Sequence, residues 1–150
     1  MLVLVLVVSL IVSWIDIRSR VVPIRVLQFG AGAALVLQAL QGNGVHAIIA
    51  AAIGFGLFFL PSFLSKGKWI GEGDAWVGAW MGAVLGLPLL WVGLYLSILL
   101  GGAVAGVLLC FGWTRKDRVP LAPILSVGVL TTLMWGQVLL AWVRAFLYTV

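Results

Sequence analysis

The chain has 150 residues, 64% of them hydrophobic and 9% charged, with nine basic and four acidic side chains for a net charge of +5. A soluble domain carries about 25% charged residues, so this composition, with a mean hydropathy of +1.26, excludes a soluble globular protein. It describes an all-α integral membrane protein, a single embedded domain over 1–150 with no room for a second, soluble one.

Apolar runs alternate with short polar breaks, and the runs predict about six transmembrane helices. The first covers 2–17. It lacks a basic leader region and a small-residue cleavage site, and so reads as a retained span rather than a signal peptide. A loop with Arg18, Arg20, Pro23 and Arg25 follows. The second span, 26–40, ends in Gln41, Gly42, Asn43 and Gly44, a turn signal. The third, 45–64, leads into Ser65, Lys66, Gly67 and Lys68. The fourth begins at Asp74 or Ala75 and breaks at Gly86, Leu87 and Pro88. The fifth runs over 89–112, and a basic loop at 115–118 precedes the sixth at 120–147. The runs lack the alternating polarity of membrane strands, which argues against a barrel. Eight tryptophans fit the aromatic belts of membrane helices. The single cysteine, Cys110, forms neither an internal disulfide nor a cysteine zinc site, and in its apolar run it reads as a buried thiol.

Basic residues orient the bundle. Eight of the nine, Arg18, Arg20, Arg25, Lys66, Lys68, Arg115, Lys116 and Arg118, fall in the loops after spans one, three and five. The turns on the opposite side hold none. The positive-inside rule places those three loops in the cytoplasm and both termini outside. The ninth, Arg144, snorkels from the outer end of span six.

Two of the four acidic residues, Asp16 and Asp74, then fall on the same cytoplasmic side at the polar ends of hydrophobic segments. Carboxylates at such positions are costly and mark functional sites. Asp74 closes a Gly-x-Gly-Asp tetrad, Gly71, Glu72, Gly73 and Asp74. Taken singly each has a structural reading: Asp74 as a helix N-cap, Asp16 as the partner of Arg18 or Arg20. Both on one end of one small bundle favour a working pair. Two close carboxylates do not both ionise cheaply. One ionised and one protonated carboxylate can activate water and polarise a carbonyl. The tetrad glycines are expected to allow positive φ and the close approach of another backbone. His46 has no second ligand candidate beside it, and no metal or other cofactor is expected.

These residues resemble a known family. Asp16, Ile17 and Arg18, followed by Val22 and Pro23, are similar to the Asp-hydrophobic-Arg and Ile-Pro-Asn signature of type IV prepilin peptidases, a branch of the Gly-x-Gly-Asp membrane aspartic proteases. The stretch from Lys68 to Asp74, with Gly78, Gly82 and Gly86 after it, resembles the family's second aspartate motif. The segment from Val119 to Gly128 is similar to its Ile-Pro-Phe-Gly-Pro-Phe-Leu-Ala-Leu-Gly stretch. Ile24 stands where Asn is usual, Trp76 where Lys is frequent, and Leu121 and Ala122 where Phe-Gly is usual. The cysteine-rich cytoplasmic insertion is missing.

The resemblance implies an intramembrane aspartic endopeptidase with Asp16 and Asp74 as catalytic residues. Gly71, Glu72, Gly73, Pro120 and Pro123 would lie along an extended substrate. That substrate is a prepilin or pseudopilin whose basic leader is cut at the cytoplasmic edge of the inner membrane. The methyltransferase activity of longer members is not expected, nor is a nucleic-acid partner. The form implied is either a short, peptidase-only member or a divergent one with altered substrate or activity. A different class, a small cation- or proton-coupled transporter using the same two aspartates, would need polar residues along a path through the bundle. The spans are too apolar to supply them.

Overall fold

A computed structural model describes the chain apart from Arg20, Trp69, 113–120 and 149–150 and, within the last helix, the side chains of Val143, Arg144 and 146–148. The helices are α1 (Leu2–Ser19), α2 (Ile24–Leu40), α3 (Gly44–Leu64), α4 (Glu72–Leu85), α5 (Leu89–Cys110) and α6 (Leu121–Tyr148). No strand occurs among the described residues. In lipid every backbone polar group must be satisfied within its own segment, and a helix does this. Among the described residues four helices are long and apolar enough to cross a membrane, in segments 2–19, 44–64, 89–110 and 121–142. The chain is therefore an all-α membrane protein. Four boundaries differ by two residues or more from those expected: α1 runs on to Ser19, α2 starts at Ile24, α4 starts at Glu72, ahead of Asp74, and α5 stops at Cys110.

The two shorter helices behave differently from the rest. α2 has 17 residues. α4 has 14, about 21 Å at 1.5 Å per residue, against a hydrocarbon core of about 30 Å. α4 is the centre of the bundle, with ten of its residues buried and α2, α3, α5 and α6 all packed on it. A Cβ on Gly54 of α3 would run into the carbonyl oxygen of Gly78, and one on Gly82 into that of Ala50. Small residues spaced by four let two membrane helices approach backbone to backbone, and α3 and α4 do so here. Trp76 completes this seam, edge-on to Phe55 with ring centroids 5.3 Å apart.

α5 is the opposite case. Only Leu90, Gly93, Leu94 and Ser97, all in its first half, are buried, and α6 is its main neighbour. Cys110 at its end is exposed, not buried as its apolar surroundings suggested. Apolar character marks a lipid-facing position as readily as a core one.

α4 ends sharply. Gly86 takes a positive φ of 63°, the left-handed region that favours glycine. The carbonyl of Val84 would accept from the N–H four residues on, but that residue is Pro88, which has none. The amide of Gln38 on α2 donates to it instead, Nε2 to O at 2.8 Å.

Candidate active site

Asp16 lies in the last turn of α1 and is 5% exposed. Its Oδ2 accepts the backbone N–H of Ala122 at 3.2 Å, a contact across 106 positions of sequence. Ala122 is the second residue of α6, where backbone N–H groups have no partner inside the helix. The carboxylate of α1 thus caps the start of α6.

Asp74, half-buried, is the third residue of α4 rather than its cap. Its Oδ2 accepts the N–H of Gly71 at 3.2 Å, while its own N–H donates to the Gly71 carbonyl at 3.1 Å. Glycine has no side chain to return the capping bond, so only the reverse half of a capping box forms. Both aspartates therefore perform one local job, holding a backbone N–H at a helix start.

Asp16 ends α1 and Asp74 begins α4 at the same end of the bundle, near enough for the charge of Asp16 to act on Asp74, less strongly than burial does. α1 packs on α2 and α6, and α4 on α2, α3, α5 and α6, with no extensive contact between α1 and α4. Both α2 and α6 pack on each of these two helices and so flank the pair.

The tetrad glycines act differently from expectation. Gly71 has φ −73°, Gly73 is helical, and neither is among the positive-φ residues. The demand at Gly73 is spatial, because a Cβ there would stand 2.6 Å from Cβ of Val22, in the loop that follows Asp16. Glycine at 73 thus lets the α1–α2 loop close over the start of α4. Glu72 is exposed, and Pro123, half-buried, is the third residue of α6. A proline in the first turn removes an N–H that would otherwise need a partner. Pro120, Arg20 and the basic loop at 115–118 lie outside the described residues. Arg18, Arg25, Lys66 and Lys68 are exposed at the aspartate end.

Sequence reasoning missed the bond to Ala122 and the contact with Val22. The first had a signal: the unpaired N–H groups of a helix starting near Pro120 and Pro123 call for an acceptor. Among the described residues no three of His, Cys, Asp and Glu gather at one point. An apolar cleft of about 620 Å³ opens between α3, α5 and α6, with Phe58, Leu94 and Leu125 among its walls. It brings no titratable group except Tyr95 and contains neither aspartate.

Two carboxylates from separate helices thus stand at one end of this helical membrane protein. The model of the type IV leader peptidase family matches residues 3–114, most of the chain and both aspartates, and the chain belongs to that family. It is a type IV leader peptidase-like protease. No curated protein and no solved structure matches the chain.

Proposed function

We propose that this chain is an intramembrane aspartic endopeptidase that removes the basic leader of a prepilin or pseudopilin at the cytoplasmic face of the inner membrane. Asp16 and Asp74 are the catalytic pair. The observation that carries this reading is that α1 and α4 bring the two to the same end of the bundle, each with one oxygen held by a backbone N–H.

In the reaction one carboxylate is ionised and the other protonated. The ionised group takes a proton from water as that water attacks the scissile carbonyl, and the protonated group donates to the carbonyl oxygen. As the C–N bond breaks, the proton taken from water passes to the leaving amine and the collapsing intermediate returns a hydroxyl proton to the other carboxylate, so the pair ends the cycle with the single proton it began with. Two interacting carboxylates titrate as a pair, and the roles belong to the pair. The substrate lies extended past Gly71, Glu72 and Gly73, with Pro123 at the start of α6 along its path. The partition of basic residues supports a cytoplasmic site. The apolar core beneath the pair, Val77, Trp80, Met81 and Val84, supports hydrolysis over ion or proton transport, which needs a polar path.

The test is co-expression with prepilin-like substrates, reading leader removal by mass. An intact leader with every such substrate would sink the proposal. Orientation is checked separately with Cys110→Ser as background. A cysteine at Asn43 should react with an impermeant thiol reagent outside intact cells, and one in the 115–118 loop should not. The reverse pattern would put the pair on the wrong face for a cytoplasmic leader.

A further inference from the structure

α3 and α5 both pack on α4 but make no extensive contact with each other. The apolar cleft of about 620 Å³ lies between them, with Leu121 and Leu125 of α6 as its third wall. It exists because α5 buries nothing beyond Ser97, so the second half of that helix leaves room beside α3. Exposed apolar side chains on a membrane helix need no partner, since lipid covers them. Two features set this cleft apart from an ordinary lipid-facing surface.

The first is bare backbone. Gly101 and Gly102 of α5 line the cleft. A Cβ on Gly101 would meet Ile124 of α6 at an ordinary 3.4 Å, and one on Gly102 would meet nothing. Gly54 and Gly78 make room for a neighbouring backbone within the chain, whereas these two make room for none. The second feature is position. A Cβ on Gly78 would stand 2.6 Å from the ring of Phe58, so Phe58, in one wall of the cleft, packs on α4 one turn from Asp74. Leu121, in another wall, immediately precedes Ala122, whose N–H holds Asp16. α5 and α6 run antiparallel, with Gly101 beside Ile124 and Ser97 beside Gly128, which sets Gly102 at about the depth of Ala122. From Gly102 the cleft follows α5 to Trp91, about 17 Å at 1.5 Å per residue, more than half of a hydrocarbon core of about 30 Å. Among the described residues no charged one lines it, and the Ser97 hydroxyl already donates to the Gly93 carbonyl at 2.7 Å. The cleft therefore begins beside the aspartates and suits a long, wholly apolar occupant.

We propose that this cleft receives the hydrophobic helix of the substrate, between α3 and α5, with its first turns against Gly101 and Gly102. The proposal rests on the leader-peptidase reading above, in which the bond cut joins a basic leader to a hydrophobic helix. A segment cut at the aspartates leaves them toward the membrane interior, and the cleft is an apolar recess that starts there. Its glycines favour a helix over an acyl chain. Small residues let two membrane helices approach closely, and close approach adds weak Cα–H···O contacts between backbones, neither of which an acyl chain supplies. The charged leader stays outside, at the level of exposed Glu72.

The experiment is disulfide trapping in membranes, in a Cys110→Ser, Asp74→Asn protein. Gly102→Cys should cross-link to cysteines placed in the first two turns of the hydrophobic helix of a co-expressed prepilin-like protein. Phe29→Cys, exposed on α2, should not. With Asp74 restored, Gly102→Leu has space for its side chain and should insert normally. It should raise KM for the same prepilin-like protein about tenfold, the low end of what a misfit in an apolar pocket costs, at unchanged kcat. A soluble peptide that stops shortly after the cleavage site should be cut equally with and without Gly102→Leu. No cross-link at 102 to a protein whose leader the parent removes overturns the proposal and leaves the peptidase reading standing. So does an unchanged KM in Gly102→Leu, the result if lipid fills the cleft. Cross-linking of Gly102→Cys to itself in place of substrate assigns the cleft to a second copy of the chain and also overturns the proposal. A cross-link to a prepilin-like protein whose leader the parent leaves intact upholds the docking and overturns the peptidase reading instead.

Discussion

The two ends of α4 meet the same difficulty with different chemistry. A short helix buried among others has unpaired backbone groups at both ends, and those groups need partners. At the start, Asp74 accepts the N–H of Gly71, and Asp16 does the same for the neighbouring start of α6. At the finish, Gln38 donates to the carbonyl that Pro88 leaves without a donor. An amide completes the far end, and carboxylates complete the near one. A carbonyl needs a donor, which a carboxylate is not, whereas an N–H is served by an amide or a carboxylate alike. Exchanging carboxylate for amide at the near end therefore tests whether its charge serves more than capping.

The largest test of this contrast converts the carboxylates to amides. Asp16→Asn and Asp74→Asn keep an oxygen that can accept the same backbone N–H, but neither can cycle a proton. We expect each to cut leader cleavage by a factor of at least about 100 at unchanged membrane abundance. Near-normal cleavage in either variant would reduce that aspartate to the role Gln38 plays at the other end.

The next effect is steric. Gly73→Ala places a Cβ against Val22 and displaces the loop that follows Asp16. A shift of about 1 Å in a catalytic group can cost about 100-fold, and Gly73→Val should do no better. Val22→Gly should recover part of the Gly73→Ala loss, a coupling that a double-mutant cycle measures. Additive losses would show that Gly73 is needed for something other than room beside Val22.

The far end should fail in another currency. Gln38→Leu leaves the Val84 carbonyl buried without a donor, which costs about 1–3 kcal/mol. It should lower the thermal midpoint in detergent while cleavage per folded molecule stays within about twofold. A selective loss of cleavage at unchanged stability would erase the distinction between the two ends. Smallest of all, Glu72→Gln removes an exposed charge and should change stability by no more than about 0.5 kcal/mol, with a comparably small change in cleavage.

Much of the architecture could be read along the chain because lipid imposes long apolar runs, and turn residues such as Gly42 and Pro88 interrupt them. The aspartates could be read because so few charges are present that their positions stand out. What could not be read are contacts between residues distant in sequence. Nothing local in Ala122 indicates that it faces Asp16, and nothing in Gly73 indicates Val22. The tetrad suggested unusual backbone angles, whereas the structure uses its second glycine to make room beside a loop. The Gln38 contact had an available clue in two parts: Pro88 deprives a carbonyl four residues earlier, and a lone amide in an apolar helix needs a partner. Only folding shows that the two answer each other.

The seam between α3 and α4 also limits how this protein can move. With Gly54 against Gly78 and Gly82 against Ala50, no flexible side chains lie between the two backbones to absorb small displacements, and packed interfaces of this kind shift in discrete steps. We expect the pair to move as one rigid bar. Spin-label distances across it should stay constant with and without substrate, while those from α1 to α4 should change. Relative travel is expected instead where α1 and α4 scarcely touch, between Asp16 and Asp74. Because Asp16 holds the first turn of α6 and α6 packs on α4 as well, a swing of α1 would load that turn, with α3 and α4 as the frame it works against.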